Sequence, residues 1–316
     1  MTQLNYIQDT HSSEESHRRT VVGLGNAVSA YLIWGLSPIY FKTLKTVPAF
    51  EILMHRMVWS FLLLLPFLFF NGRWNEFVSI FRQGKRLRAL FVTTLLVGFN
   101  WFLFIWAINH DHVLQTSLGY YINPLVNVLL GMVILGERLR PAQMVAVLMA
   151  GAAVLNLTLS FGEIPWVSLA LALSFSCYGL IRKVVPVSST VGLSVETFLL
   201  MMPAIGYLVH AYQMEEGAFL RIGLTTDLLL VSAALVTAVP LILFTRGARR
   251  LHFSTIGFLQ YIAPTCTFLL AVFLWKEPLE SARLWTFIII WIALAIYSLD
   301  SFRYYRKEAM IRPNGS

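Results

Sequence analysis

Long apolar stretches, separated by short polar and basic segments, follow one another from residue 21 to about residue 301. Within them the hydrophobic positions run on without alternating. Alternation every second residue is what the strands of an outer-membrane barrel need, so a barrel is excluded. Each stretch is close to the roughly 20 residues that carry a helix across a bilayer. Ten membrane helices are predicted, at 21–42, 49–70, 87–107, 116–136, 141–160, 163–182, 192–213, 226–246, 254–275 and 282–301. Residues 1–20 are polar and read as a solvated tail, without the early apolar run of a secretory signal, and 302–316 form a basic tail. The longest connections, about 71–86 and 214–225, can hold a surface turn or a short interfacial helix but no soluble domain. The fold class is therefore an all-α polytopic membrane protein, and any chemistry must lie inside its helix bundle.

Composition agrees. Of 316 residues, 57% are hydrophobic and 13% charged, with a mean hydropathy of +0.68. A soluble domain has about 45–50% apolar and about 25% charged residues. Disorder needs the reverse balance. The net charge of +8 is a matter of where the cations lie. With the N-terminus inside, 18 of the 24 Lys and Arg fall on inner segments and five on outer ones, while Arg56 lies within span two. That bias places both termini in the cytoplasm and makes the charge a topology device, not a nucleic-acid patch. Cys177 and Cys266 lie in apolar runs, and no CxxC or Cys/His metal spacing occurs. His110-Asp111-His112 forms a short outer turn with too few ligands for a metal site. No cofactor is expected.

An internal repeat adds architecture. Ser117-Leu118-Gly119-Tyr120 is echoed by Thr255-Ile256-Gly257-Phe258, and each is followed by a proline, Pro124 or Pro264. From those prolines to Glu137 and Glu277 the spacing is the same 13 residues. Trp34-Gly35 and Tyr178-Gly179 form a weaker pair. Residues 21–160 and 161–301 thus read as two five-span halves. Five is odd, so the second half crosses in the opposite sense, giving an inverted repeat with a midplane cavity. Glu137 ahead of Pro141, and Glu277 beside Pro278, read as start signals for spans five and ten.

A family resemblance rests on Tyr31-Leu32-Ile33-Trp34-Gly35 with Pro38 and Lys42, and on Glu51-Ile52-Leu53 with His55-Arg56. It continues through Asn100-Trp101, Ser117-Leu118-Gly119-Tyr120 with Asn123-Pro124-Leu125, Gly136-Glu137, and Gln260-Tyr261-Ile262 with Pro264-Thr265. On these the chain resembles the EamA-type members of the drug/metabolite transporter superfamily, and among them the RarD permeases. The resemblance implies movement of small molecules across a bacterial inner membrane.

Polar and aromatic groups at mid-span nominate the cavity wall. His55 and Arg56 lie about 9–10 Å below the outer end of span two. Either Arg56 is the fixed cation of a substrate site, with His55 beside it, or both are structural groups bonded to neighbouring helices. Span four sets Gly119, Asn123 and Asn127 along one face, with Tyr120 and Pro124 beside it. Span nine offers Gln260, Tyr261, Pro264, Thr265 and Thr267 at comparable depth. These line a cavity or serve as small-residue and amide packing between helices. Trp34 and Pro38 in span one, Asn100 and Trp101 in span three, and Tyr178 in span six complete the candidates, the aromatics offering faces for stacking. Lys42, Arg182 and Glu196 lie near span ends and are expected to snorkel. Spans five and ten carry little mid-depth polarity and are expected at the periphery, facing lipid or a second copy in a homodimer.

There is no GxxxxGK[ST] phosphate loop, so this chain does not hydrolyse ATP to drive transport. There is no HExxH, GxSxG or intramembrane Asp pair for a buried enzyme, and no filter-like run for a channel. The reading is a small-molecule permease or exporter with alternating access around a midplane cavity; the alternatives are a membrane-embedded enzyme or a channel. Its partners are a small-molecule substrate and the lipid bilayer.

Overall fold

The computed structural model describes residues 2–110, 112–159, 164–276 and 281–311, so Asp111 and Glu277 lie outside the described residues. The elements are α1 (Thr2–Lys42), α2 (Ala49–Phe70), the short α3 (Trp74–Ile80), α4 (Gly84–Asn109), α5 (Val113–Val133) and α6 (Pro141–Leu159). They continue with α7 (Trp166–Val184), α8 (Ser189–Gln213), α9 (Leu224–Ala248), α10 (Phe253–Gln260), α11 (Ile262–Leu269) and α12 (Ser281–Ile311). A π-helical turn, Leu270–Leu274, extends α11. Among the described residues nine helical segments are long and apolar enough to cross a membrane, including the broken rod Phe253–Leu274. The long helix outside that set is α5. Its Gln115, Thr116, Asn123 and Asn127 lower its hydropathy, and all four are buried. The chain is a polytopic α-helical membrane protein.

The N-terminal segment is helical rather than irregular. It continues α1 from Thr2, since no Gly or Pro occurs between residues 2 and 22 to stop the helix. The C-terminal end likewise prolongs α12 to Ile311. The break at Tyr261 between α10 and α11 follows from Pro264, which has no N–H for the Gln260 carbonyl.

Packing joins α2 to α8 and α9, α5 to α7 and α10, α1 to α9 and α11, and α4 to α7 and α8, while α6 lies on α12. Small residues allow the closest approaches. A Cβ at Gly35 would stand 2.6 Å from Cys266 Cβ and 2.9 Å from the Ala263 carbonyl oxygen. One at Gly257 would stand 2.6 Å from the Pro124 carbonyl oxygen.

The connections 71–83, 134–140, 185–188 and 249–252 carry most of the loop cations and define a basic face. Side chains lock that face together. Glu137, expected to start span five, instead caps α10. Gly136 takes φ +67, and the Glu137 carboxylate accepts from Phe253 N–H at 2.5 Å, Ser254 N–H at 2.8 Å and the Ser254 hydroxyl at 2.8 Å. Burial pushes the Glu137 pKa up, but hydrogen bonds from His252, Ser254 and Phe253 outweigh it and hold it down at about 2. Lys183 donates to the Ala248 carbonyl at 2.7 Å and also to that of Leu251, and Arg249 donates to the Val187 carbonyl. At the opposite face, Glu51 accepts from Ala218 N–H at 2.8 Å and Phe219 N–H at 3.2 Å.

Candidate substrate cavity

Enclosed by α1, α4, α5, α7, α9 and the α10–α11 rod is a cavity of about 850 Å³. α2, α6 and α12 each add a single side chain to its wall, Arg56, Leu157 and Phe287. The cavity lies nearer the end away from the basic face. Along α1, Tyr31, Trp34, Pro38 and Phe41 line it, whereas Ala27 and Ala30, closer to the basic end, pack into the core. The same division separates Phe175 from Tyr178 on α7, Leu241 from Phe244 on α9, and Gln260 from Ile256 and Phe253 on α10. The cavity therefore has a packed apolar floor towards the basic face, where the Tyr31 hydroxyl donates to the Ile256 carbonyl at 3.1 Å.

Prolines shape the wall. A helical proline leaves the carbonyl four residues earlier without its usual donor, a fault tolerated inside a membrane where a cavity or protein interior receives it. The residues four before Pro38, Pro124, Pro240 and Pro264 are Trp34, Tyr120, Val236 and Gln260, and all four line the cavity. At Trp34 the freed carbonyl is satisfied by the Ser37 hydroxyl at 2.7 Å.

Arg56 is the sole charged side chain among the described lining residues. Its Nε donates to the Thr237 hydroxyl at 2.7 Å, and its guanidinium carbon lies 5.2 Å from the Phe41 ring centroid and 5.4 Å from that of Trp101. Among the described residues, no carboxylate comes within 4.0 Å of it. The described wall thus carries one cation with no acid in salt-bridge range of it.

Nine of the thirteen sequence-derived candidates meet at this wall: Trp34, Pro38, Arg56, Asn100, Trp101, Tyr120, Asn123, Gln260 and Pro264. Three of them also do the alternative work of tying helices together. Asn100 donates to the Leu171 carbonyl and the Ser174 hydroxyl, both at 2.9 Å, and Asn123 donates to the Ala172 carbonyl at 3.1 Å. Gln260 accepts from Asn127 at 2.7 Å.

The other four lie off the wall. His55 is turned one residue, about 100°, round α2 from Arg56. It accepts from Trp59 at 3.1 Å, packs its ring 4.8 Å from Phe219, and has Nε2 3.7 Å from Glu51. Tyr178 belongs to the floor, and Tyr261 donates to the Tyr121 carbonyl at 3.2 Å while packing with Phe258. Pro124 turns its carbonyl to the α5–α10 seam at Gly257. Lining groups that were not singled out include Thr237 and Phe175. Thr237 carried a signal, being one of few hydroxyls within the most apolar span.

Arg182 and Glu196 do not snorkel. Both are buried below the floor, with Arg182 Nε 3.4 Å from Glu196 Oε1. Thr93 donates to that carboxylate at 2.6 Å and Tyr178 at 3.3 Å, while Arg182 donates to the Ser189 carbonyl at 3.1 Å. Thr237 on α9 thus meets Arg56 of α2, and Thr93 on α4 meets Glu196 of α8.

Comparison with known proteins fits this architecture. The profile of the EamA-like transporter family matches residues 21–159. Protein RarD of Salmonella typhi is 44% identical over 291 residues, covering 92% of this chain and 99% of that protein. An uncharacterized transporter of Vibrio cholerae is 47% identical over 281 residues, 89% of this chain and 93% of the relative. One crystal structure, 19% identical, aligns with a TM-score of 0.67 over 89% of this chain and 98% of the other, which speaks to the fold alone. With relatives this similar over nearly their whole length, the chain belongs to the EamA-type drug/metabolite transporter superfamily as a RarD permease, a multi-pass bacterial membrane transporter.

Proposed function

We propose that this chain carries a small metabolite or drug across the bacterial inner membrane by alternating access around the cavity, without ATP. The observation that carries the reading is a cavity lined from α1, α4, α5, α7, α9 and the α10–α11 rod and closed by packed side chains towards the basic face. The proline pair Pro124 and Pro264 places lining residues on both α5 and the α10–α11 rod. Helix packing also supports it. Exchange α1, α2, α4, α5 and α6 for α7, α8, α9, α10–α11 and α12. The α1–α9 contact then becomes α7–α4, α5–α7 becomes α11–α1, and α2–α9 becomes α8–α4, while α2–α8, α5–α10 and α6–α12 return to themselves.

A two-fold axis in the membrane plane generates such a set of contacts. In this reading ten spans form two inverted repeats, 21–160 and 161–301, both termini are cytoplasmic, and the basic face is the closed inner gate of an outward-open state. The wall would then reform at the other end when the second half takes the arrangement of the first. The outer faces of α6 and α12 are left to lipid or to a second copy. An open channel fits poorly with a packed floor, and an enzyme with a wall whose described residues offer no acid beside Arg56.

The test is a thermal-shift screen of metabolites and antibiotics on the purified protein, followed by uptake of each stabilising compound into proteoliposomes. A ligand of the folded state raises the melting temperature by mass action. Saturable, ATP-independent uptake and counterflow are expected. Uptake that never saturates would point to a channel, and absence of counterflow for every stabilising compound would overturn the proposal.

A further inference from the structure

We propose that the transported molecule is an aromatic organic anion whose carboxylate docks on Arg56. This deepens the reading of the cavity as the transport site and rests on it. Arginine stays protonated even when buried, and a lone cation at membrane depth is costly unless matched. Arg182, which is fully buried, has Glu196 for a counter-ion. Among the described residues Arg56 has no carboxylate within 4.0 Å: its Nε engages a neutral hydroxyl, Thr237, and the faces of Phe41 and Trp101 supply only ring quadrupoles.

With no acid among the described lining residues, the cavity holds one uncompensated positive charge. With Nε committed to Thr237, the guanidinium fork still has its two terminal nitrogens, which match a carboxylate bidentately. A lysine's ammonium could not do so.

The rest of the wall selects the body of the molecule. Trp34, Trp101, Phe104, Phe175 and Phe268 present flat apolar surface around the same space. About 850 Å³ is within the range of sites for drug-sized ligands. Asn123 and Gln260, on the wall, suit one further polar substituent on the ring. A cationic substrate would be repelled by Arg56. A neutral one would leave its charge unmatched.

Binding of three isosteric probes, phenylacetate, phenylacetamide and phenethylamine, to the purified protein tests this by tryptophan fluorescence or calorimetry, with indole-3-acetate as a larger carboxylate. Carboxylates are expected to bind about tenfold or more tighter than the amide, the scale of a hydrogen-bonded charge, and the amine weakest. Arg56→Gln should erase the preference with the melting temperature retained, and Arg56→Lys should keep part of it. Should Arg56→Gln fail to fold, the wild-type probe series still decides. Equal or stronger binding of amide or amine, or no carboxylate binding at millimolar concentration, overturns the proposal. Counterflow of the same probes separates the two readings. A transported amide beside an untransported carboxylate leaves alternating access standing and removes the anion. A carboxylate that binds through Arg56 but is never transported keeps the anion site and removes the transport reading.

Discussion

Arg182 and Glu196 lie 3.4 Å apart on adjacent helices, both shut off from solvent, and Thr93 and Tyr178 close the cage around the carboxylate. Removing one partner of such a pair strands the other, at a cost of about 3–5 kcal/mol. Glu196→Gln is expected to lower the melting temperature markedly and to reduce the amount of protein reaching the membrane. Replacing both groups with apolar residues, as in Arg182→Met with Glu196→Leu, should recover most of the loss. Melting curves on the three proteins check this, and a Glu196→Gln single variant as stable as wild type would refute it.

Glu137 predicts a pH dependence. Its folded pKa, about 2, lies below the ordinary carboxylate range, so the ionised form is the one the fold favours. The stability it contributes is complete above that ordinary range and is lost as pH falls through the folded value of about 2. Losing the cap of α10 through Glu137→Ala should cost roughly 1–2 kcal/mol near neutral pH. The variant should also destabilise less steeply than wild type on acidification. Melting temperatures at pH 7, 5 and 3 measure both effects, and parallel curves would contradict the assignment.

Two glycines should respond in opposite ways. At Gly257 a Cβ would meet the Pro124 carbonyl oxygen at 2.6 Å, a backbone atom that cannot swing aside, so Gly257→Ala should part α5 from α10 and lower stability. At the exposed Gly206, in α8, a Cβ meets nothing within 4 Å. Gly206→Ala should be neutral or stabilising by up to about 1 kcal/mol through reduced backbone entropy. A common detergent and heating protocol compares them directly.

Orientation has its own test. A reporter fused after Ser316 should be active only in its cytoplasmic form, in line with the basic face lying inside. Activity of a periplasm-dependent reporter there would require an odd number of crossings and would undo the inverted-repeat reading.

Most of the helices were legible because nine segments are long apolar runs, whereas α5, with Gln115, Thr116, Asn123 and Asn127, falls outside that set. Much of the wall was legible too, since Arg56, Asn100, Asn123 and Gln260 are out of place at mid-span on energetic grounds. Rotation about each helix was not. His55 and Arg56 are neighbours in sequence and equal in polarity, but one faces Glu51 and Phe219 and the other the cavity. Tyr178 and Tyr261 resemble Tyr120 in type and depth but turn into seams between helices. The partners of Glu137 and Glu196 lie far along the chain, at Phe253 and Ser254 and at Thr93, where spacing carries no signal. Local cues therefore read both acids as end groups, when each holds two distant helices together.

In the proposed mechanism the cavity is a water-accessible transport site open to one side at a time. Side-resolved cysteine labelling tests it most directly. Trp34→Cys, Asn123→Cys and Gln260→Cys are placed singly in a background with Cys177→Ser and Cys266→Ala, then treated with a membrane-impermeant maleimide on intact spheroplasts and on inverted vesicles. In the resting protein all three should react from the periplasmic side and little from the cytoplasmic side, with protection by a bound substrate. If all three stay unreactive from both sides, the cavity is not a transport site and the account fails.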